Sequence, residues 1–131
     1  MTEPTVLFVC LHGAAKSVIA AAYFQRLADA RGVRLRAAFA GTEPDPEIAP
    51  RVASELKAEG IDLSGQRPRA VTREDVATAT RIVSFGCDLT ALAPAVAVER
   101  WDEVPAVSED FQKARAAIIA RLPRLLDSVN A

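Results

Sequence analysis

The sequence predicts an α/β protein in which a small parallel sheet carries helices on both faces. Residues 5–9 form a short, nearly continuous apolar run, which is typical of a strand buried on both of its faces. Strand patterns and helical patterns then alternate along the chain, as in proteins built from strand–helix–strand units. A loop of small and polar residues, 10–16, separates the first strand from the first helix. These observations indicate a four-stranded sheet with a tight loop at its carboxyl edge.

The predicted elements follow one another in strand–helix order. Strands are predicted at residues 5–9, 34–40, 80–85 and 96–101. Two helices are predicted at residues 17–30 and 47–59. A third, short helix is predicted to start near residue 72, and a fourth is predicted to start near residue 108. Because crossovers between parallel strands are right-handed, this succession gives a doubly wound sheet with the flavodoxin-like strand order 2-1-3-4.

Residues with known positional preferences define the first two helices. Ser17 is a cap or first-turn residue of the first helix, and Gly32 ends that helix. The second helix holds Pro50 in its first turn, where the missing N–H is harmless. Gly60 then ends the second helix.

Capping signals define the last two helices. Thr72 and Asp75 resemble a capping box at the start of a short third helix. Ser108 is the predicted cap of the fourth helix, whose apolar face carries Phe111, Ala114, Ile118, Leu122 and Leu125. Pro123 should kink or split this helix, because its ring clashes with the preceding turn.

Composition bounds the size and the partners of the protein. The 131 residues suit one domain, 1–131, with a single core. The formal net charge of −1 supplies no basic field for nucleic acid or an anionic membrane. No apolar run is long enough to span a bilayer, and residues 1–4 lack the basic start of a signal peptide, so we expect a cytoplasmic protein. One histidine and two distant cysteines make no zinc site, and no cofactor is expected.

The loop after the first strand has the features of an oxyanion site. In an open parallel sheet, ligands bind outside the carboxyl ends of the strands. A short loop that enters a helix turns several backbone N–H groups inward, and these donors and the helix dipole favour a tetrahedral anion. The same donors stabilise the thiolate of Cys10 at the mouth of the loop, and a thiolate can attack the anion. Lys16 supplies a cation at the end of the loop.

Several motifs in register give the chain a family resemblance. Residues 6–10, five further residues, the cation Lys16 and Ser17 resemble the phosphate-binding loop of low-molecular-weight tyrosine phosphatases and of the arsenate reductases that share their fold. Segments 40–44, 60–64, 66–69, 85–88 and 101–102 resemble the same family. The features most similar to the arsenate-reductase branch are His12, Glu43-Pro44, residues 66–68 and Gly86-Cys87. The resemblance implies one phosphatase-like domain over the whole chain.

The resemblance also implies a role for each residue of the site. Cys10 would be the nucleophile, Ser17 would hydrogen-bond its thiolate, and Lys16 would neutralise a bound arsenate, phosphate or sulfate. The backbone N–H groups that would form the cradle belong to Leu11, His12, Gly13, Ala14, Ala15, Lys16 and Ser17. Cys87 would be the resolving cysteine, which forms a disulfide with the oxidised nucleophile. Thioredoxin or a small thiol such as mycothiol or glutathione would then reduce that disulfide.

Two departures from the family pattern lie inside the loop. Lys16 stands where the family has Arg, so a point charge replaces a planar fork and bidentate contacts with the transition state would be lost. Gly13 stands where the family has Asn. Gly can adopt the left-handed conformation, but it offers no side chain to brace the loop.

Two further departures lie outside the loop. Ala106 falls where the phosphatases have an aspartate general acid, a group that typically contributes about 10²–10⁴-fold to the rate. Asp102, Glu103 or Asp110 would substitute only if this loop is re-routed. Ala91 lies near the place of the second resolving cysteine, so reduction would need direct thiol attack on the disulfide or coupling to mycothiol or glutathione.

Simpler structural explanations exist for several of these residues. The presence of Cys10 and of Cys87 is equally explained if each cysteine is a small residue that fills space in the core. Lys16 is also explained as a solvated residue at the start of a helix. His12 is expected to brace the loop by a hydrogen bond rather than to act as a base.

Three functions therefore stay open on the sequence. The leading one is a thiol-dependent arsenate reductase, in which Cys10 attacks arsenate and Cys87 or an external thiol accepts the oxidation. The first alternative is a phosphatase acting on phosphotyrosine or a small phosphate ester through a phosphorylated Cys10. The second alternative is an anion-binding or interaction protein that keeps the fold without the catalysis.

Overall fold

Four parallel strands form the centre of the molecule. The computed structural model describes residues 4–87, 89 and 98–129. The strands are β1 Thr5–Cys10, β2 Arg36–Gly41, β3 Arg81–Ser84 and β4 Glu99–Arg100. Their order in the sheet is β2-β1-β3-β4, and every neighbouring pair is parallel, so the predicted order 2-1-3-4 is confirmed. The order reverses beside β1, which is where an open parallel sheet leaves a crevice for a ligand.

Helices cover both faces of this sheet, as predicted. They are α1 Lys16–Ala30, α2 Pro50–Ala58, α3 Arg73–Thr78 and α4 Phe111–Val129. Alternate residues of β1 enter different clusters: Val6 and Phe8 pack with buried residues of α1, α2 and α4, and Leu7 and Val9 pack with Val76 of α3. The near-continuous apolar run of β1 is therefore explained by burial on both sides.

The second helix begins later than the sequence predicts. The prediction of a start at residue 47 is wrong, because α2 starts at Pro50. Ala49 has the extended conformation φ −52°, ψ 125°, since the ring of a following proline disfavours the helical region. Pro50 itself fits the first helical position, where no N–H is needed.

The fourth helix differs from the prediction at its start and at its proline. Ser108 does not cap it; the carboxylate of Asp110 accepts a hydrogen bond of 3.0 Å from the N–H of Lys113 instead. Pro123 lies inside α4 and does not split it. Buried side chains on both sides of the proline, among them Ile118 and Leu126, hold the helix against the core.

The remaining boundaries agree with the sequence within a few residues. The capping box of α3 is confirmed, with the Thr72 hydroxyl accepting from the Asp75 N–H and the Asp75 carboxylate accepting from the Thr72 N–H. Strand β4 is shorter than predicted: Trp101 lies outside it, and residues 96 and 97 lie outside the described part of the chain. None of the helices in the described ranges is long and apolar enough to cross a membrane.

Candidate active site

Cys10 is the last residue of β1, so its thiol lies at the carboxyl edge of the sheet. The side chain is buried, and its sulfur is 3.0 Å from the hydroxyl oxygen of Ser17. Ser17 is the second residue of α1 and is fully buried, which makes it a first-turn residue and not a cap. A hydroxyl at this distance can donate its proton to a sulfur anion, so the pair can stabilise a thiolate.

The loop between β1 and α1 is held by the segment that follows β2. The carbonyl oxygens of Leu11, His12 and Ala14 accept hydrogen bonds of 2.7, 3.0 and 2.9 Å from the N–H groups of Glu43, Asp45 and Ala49. Three loop carbonyls therefore point towards residues 43–49.

These carbonyl directions determine where the loop amides point. The described residues contain no cis peptide bond, and in a trans peptide the N–H points opposite to the preceding carbonyl. The N–H groups of His12, Gly13 and Ala15 therefore face away from residues 43–49. That is the direction an amide cradle for an anion requires.

Two glycines allow the loop to lie directly against the end of β2. Gly13 has φ +61°, and a Cβ there would lie 2.8 Å from the backbone nitrogen of Gly41. A Cβ on Gly41 would lie 2.6 Å from the backbone nitrogen of Gly13. Gly13 has no side chain to brace the loop, as the sequence implies, and the backbone contacts with residues 41–49 hold it instead.

Lys16 connects the loop to a distant part of the chain. Its ammonium group donates a hydrogen bond of 2.9 Å to the carbonyl oxygen of Val104. Two of its three N–H donors are left for other partners. Lys16 therefore links the anion loop to the segment that carries residue 106.

His12 braces the loop, as predicted. Its Nδ1 is 3.2 Å from the carbonyl oxygen of Glu43 and 3.3 Å from the carboxylate of Asp45. Both His12 and Asp45 have about half of their side-chain surface exposed, at 54% and 49%. The pair thus lies at the rim of the site and not in the core.

A cavity of about 510 Å³ opens at Cys10. Five of the seven predicted anion-binding residues line it, namely Leu11, His12, Ala14, Ala15 and Lys16. The other two do not: Gly13 packs against Gly41, and Ser17 is buried behind Cys10. Within the described residues, no group of three His, Cys, Asp or Glu side chains could hold a metal ion.

Residue 106, at which the resemblance implies the family's general acid, faces this cavity and carries no acid. Ala106 is one of the lining residues. None of the three carboxylates named as substitutes reaches the cavity, and each has a partner elsewhere. Asp102 pairs with Arg100 at 3.1 Å, Glu103 with Arg121 at 3.7 Å, and Asp110 caps α4.

Cys87 lies behind the site and does not line the cavity. It is buried among Leu7, Val9 and other residues of the sheet face opposite to that of Cys10. Burial raises the pKa of the Cys87 thiol, and the nearby Cys10 sulfur raises it further. Both cysteines are free thiols in this structure.

Two charged residues of the cavity, Asp45 and Arg51, are missing from the sequence-based prediction. Both line the cavity, and the Arg51 guanidinium lies over the ring of Phe111 at 5.3 Å from its centre. Asp45 follows β2, and Arg51 is in the first turn of α2. Because carboxyl ends of parallel strands share one edge of the sheet, the position of Asp45 after a predicted strand was a usable signal.

Comparison with known proteins identifies relatives that match most of the chain. The family model for low molecular weight phosphotyrosine protein phosphatase matches residues 5–119. A protein of Halobacterium salinarum, whose name assigns it provisionally to the arsenate reductases, is 27% identical over 94% of this chain and 91% of its own length.

Solved structures show the same fold. YfkJ from Bacillus subtilis superposes with a TM-score of 0.87 at 23% identity, covering 99% of this chain and 96% of that one. A thioredoxin-dependent arsenate reductase of Corynebacterium glutamicum superposes with a TM-score of 0.82 at 27% identity. That alignment covers 98% of this chain and 62% of the reductase, so this chain spans less than two thirds of that protein.

Proposed function

The chain belongs to the low molecular weight phosphotyrosine protein phosphatase family, and from this we propose that it is an arsenate reductase whose nucleophile is Cys10. The observation that carries the proposal is the contact of 3.0 Å between the sulfur of Cys10 and the hydroxyl of Ser17 at the floor of the cavity. A buried thiol that only fills space needs no hydroxyl partner, whereas a nucleophilic thiolate does.

The anion would lie in the loop above this pair. Residues 11–17 supply backbone N–H groups, and those of His12, Gly13 and Ala15 face away from the segment that holds the loop. Lys16 adds a positive charge, with two N–H donors beyond the one given to Val104. A tetrahedral anion next to Cys10 would therefore meet several donors and a cation at once.

The reaction has two steps. In the first, the Cys10 thiolate forms an S–As bond with arsenate, and one arsenate oxygen leaves as water after taking up protons. In the second, a thiolate attacks the Cys10 sulfur, a disulfide forms, and the electron pair of the S–As bond stays on arsenic. Arsenic(V) thereby becomes arsenic(III) and leaves as arsenite, and the two thiols together have lost two electrons.

The absence of a carboxylate at residue 106 favours arsenate over an ester. Hydrolysis of an ester releases an alkoxide, which needs a proton donor, whereas arsenate carries exchangeable hydroxyl protons of its own. Ala106 faces the cavity, and Asp102 and Asp110 are engaged elsewhere. Two of the relatives are named as arsenate reductases.

The second thiol of the reaction is proposed to be Cys87, with an external thiol as the alternative. The Cys87 sulfur lies 4.0 Å from the carbonyl oxygen of Val9, the residue before Cys10, which supports an intramolecular pair. The burial of Cys87 on the opposite sheet face, outside the cavity, argues for the alternative. Mycothiol or glutathione could approach through the cavity, and thioredoxin would reduce a disulfide once it had formed.

Counting thiols after reaction with arsenate tests the proposal. The reduced protein is incubated with arsenate, or with phosphate as the control, and its free thiols are titrated after denaturation. We expect loss of two thiols with arsenate and none with phosphate, and loss of the effect in Cys10→Ser. Arsenate reduction that survives Cys10→Ser, with or without an added small thiol, would refute the proposal.

A phosphatase is the second candidate, and the size of the cavity favours it. The volume of about 510 Å³ and the apolar side chains of Pro50, Phe85 and Val107 leave room for an organic group beside a bound anion. Phosphate trapped on Cys10 from an activated aryl phosphate would support this function. Absence of both trapping and turnover would remove it.

A further inference from the structure

The cavity at Cys10 contains titratable groups that the proposed reaction does not yet use. Besides Cys10 and Lys16, its lining includes His12, Asp45 and Arg51. The side chain at residue 106 is a methyl group, so a proton donor for a bound ester would have to be one of these other groups.

The contacts of His12 determine which ring nitrogen is available. Nδ1 lies near the Glu43 carbonyl oxygen and the Asp45 carboxylate, and both of these groups only accept hydrogen bonds. Nδ1 therefore carries a proton and donates it. The nitrogen left to exchange a proton with a ligand is Nε2.

Asp45 holds both the backbone and the ring of His12 in place. Its backbone N–H donates to the His12 carbonyl oxygen at 3.0 Å, and its carboxylate lies 3.3 Å from the His12 Nδ1. The Glu43 carbonyl adds a third contact with the ring. The ring orientation and the tautomer are thus set by residues 43–45 before any ligand binds.

We propose that His12, oriented by Asp45, is the proton donor of this site and takes the place of the carboxylic acid missing at residue 106. This inference rests on the second candidate function, because it requires Cys10 as the nucleophile and a phosphate ester as the substrate. It differs from the expected loop-bracing role, which the Nδ1 contacts already fulfil. What it adds to that second candidate function is a proton donor for esters whose leaving group needs a proton.

The proton transfers balance over the two half-reactions. When Cys10 attacks phosphorus, the S–P bond forms, the P–O bond to the leaving group breaks, and the Nε2 proton of the His12 cation passes to the leaving oxygen. Neutral His12 then takes a proton from the water that attacks phosphorus. The S–P bond breaks, phosphate leaves, and the Cys10 thiolate and the His12 cation are restored.

One substitution separates the proposed role from bracing. In His12→Asn, the side-chain NH₂ group stands in for Nδ1 and can still donate to residues 43–45, whereas nothing replaces Nε2. A poor leaving group needs a proton donor, and a good one does not. The probes are therefore phenyl phosphate and dinitrophenyl phosphate, assayed by phosphate release and burst kinetics.

We expect His12→Asn to lower turnover of phenyl phosphate by about 10²-fold and that of dinitrophenyl phosphate by less than about threefold. Adding Ala106→Asp to this variant should restore at least tenfold on phenyl phosphate, because it supplies a carboxylic acid to the same cavity. Glu47→Gln is the matched control, since Glu47 is an exposed acidic residue of the neighbouring segment that does not line the cavity, and it should leave both rates unchanged.

Equal losses on the two esters, or no loss on either, would overturn the inference and leave bracing as the role of His12. A wild-type protein that hydrolyses dinitrophenyl phosphate but not phenyl phosphate, or that reduces arsenate but hydrolyses neither ester, would also overturn it, because a working donor would be missing. These outcomes leave the proposed function in place. Only turnover that persists in Cys10→Ser removes both.

Discussion

At the scale of single residues, the cysteine behind the site governs how the second half of the proposed reaction depends on pH. Burial raises the pKa of Cys87, and the Cys10 sulfur raises it further. The thiolate is the attacking species, so below that pKa the rate of its attack grows about tenfold per pH unit.

We therefore expect the rate of disulfide formation to keep rising above pH 8.5, where an ordinary thiol of pKa about 8.5 begins to level off. The rate is measured by acid-quenched thiol counts after Cys10 has been saturated with arsenate. Cys87→Ser is the control and should lose no second thiol. A rate that is flat above pH 7.5 would contradict a buried attacking thiol.

Lys16 is the residue at which a single change should increase catalysis. Its ammonium group is a point charge that already gives one donor to the Val104 carbonyl. In Lys16→Arg, the planar fork can contact two oxygens of the anion in the transition state. We expect kcat/KM for arsenate to rise by roughly tenfold, which corresponds to about 1.4 kcal/mol.

Lys113→Arg provides the control for this substitution, because Lys113 is an exposed residue of α4 and should leave the rate unchanged. An unchanged rate in Lys16→Arg would mean that the residue acts mainly as a tether for the segment around Val104. A fall in the rate would mean that the fork does not fit the loop.

At the scale of elements, the contact between the loop and the end of β2 ties the strand to the anion site. A methyl group on Gly41 would lie 2.6 Å from the Gly13 backbone nitrogen, so the loop has to move. We expect Gly41→Ala to cost about 1–3 kcal/mol in the free energy of unfolding and to abolish the rise in Tm that arsenate or phosphate produces.

Gly65→Ala is the matched control for this contact. Gly65 has φ +82°, but no atom lies within 4 Å of the place that a Cβ would occupy, so its substitution strains the backbone without touching the site. It should lower Tm and leave the anion-induced rise intact. If both variants keep that rise, the contact between Gly13 and Gly41 is unimportant for anion binding.

At the scale of the whole molecule, a polar cluster joins three helices on the side of the sheet that carries Cys10. Arg115 of α4 donates to the Tyr23 hydroxyl at 2.9 Å and to the Glu59 carboxylate at 2.8 Å, and the Tyr23 hydroxyl of α1 donates to Glu59 just after α2. The hydrogen bond from Arg115, followed by that from Tyr23, holds the pKa of Glu59 below its usual value.

A lowered carboxyl pKa stabilises the fold above the unfolded pKa, about 4.3, and this contribution is lost as the pH falls through the folded pKa. We expect Glu59→Gln to cost about 1 kcal/mol at pH 7, allowing for its partial exposure, and progressively less as the pH falls through the lowered pKa of Glu59. Urea unfolding at pH 7 and at a series of acidic pH values measures this. Glu55 forms an exposed ion pair with Arg51, so Glu55→Gln should lower the free energy of unfolding little at any of these pH values. An equal loss of stability in both variants would argue that the polar cluster around Glu59 does not stabilise the fold.

The fold and the local part of the site could be predicted because their signals lie in short stretches of sequence. The strand, the loop and the first turn of α1 are consecutive, and the resemblance of this stretch to the family's phosphate-binding loop implied the contact between Cys10 and Ser17. Asp45 was missed because it meets His12 only through the pairing of β2 with β1. The predicted start of α2 at residue 47 was too early, because the ring of Pro50 keeps the residue before it out of the helical region.

The packing around Trp101 makes the tryptophan fluorescence of the protein sensitive to the cavity. Trp101 is the only tryptophan in the chain, and its buried ring lies edge-on to Phe85 with centres 5.6 Å apart. Phe85 in turn lines the cavity, and Val104, three residues after Trp101, holds the Lys16 ammonium. Tryptophan emission thus comes from one residue that is a single side chain away from the occupant of the cavity, so a fluorescence titration excited selectively at tryptophan can follow ligand binding without any label.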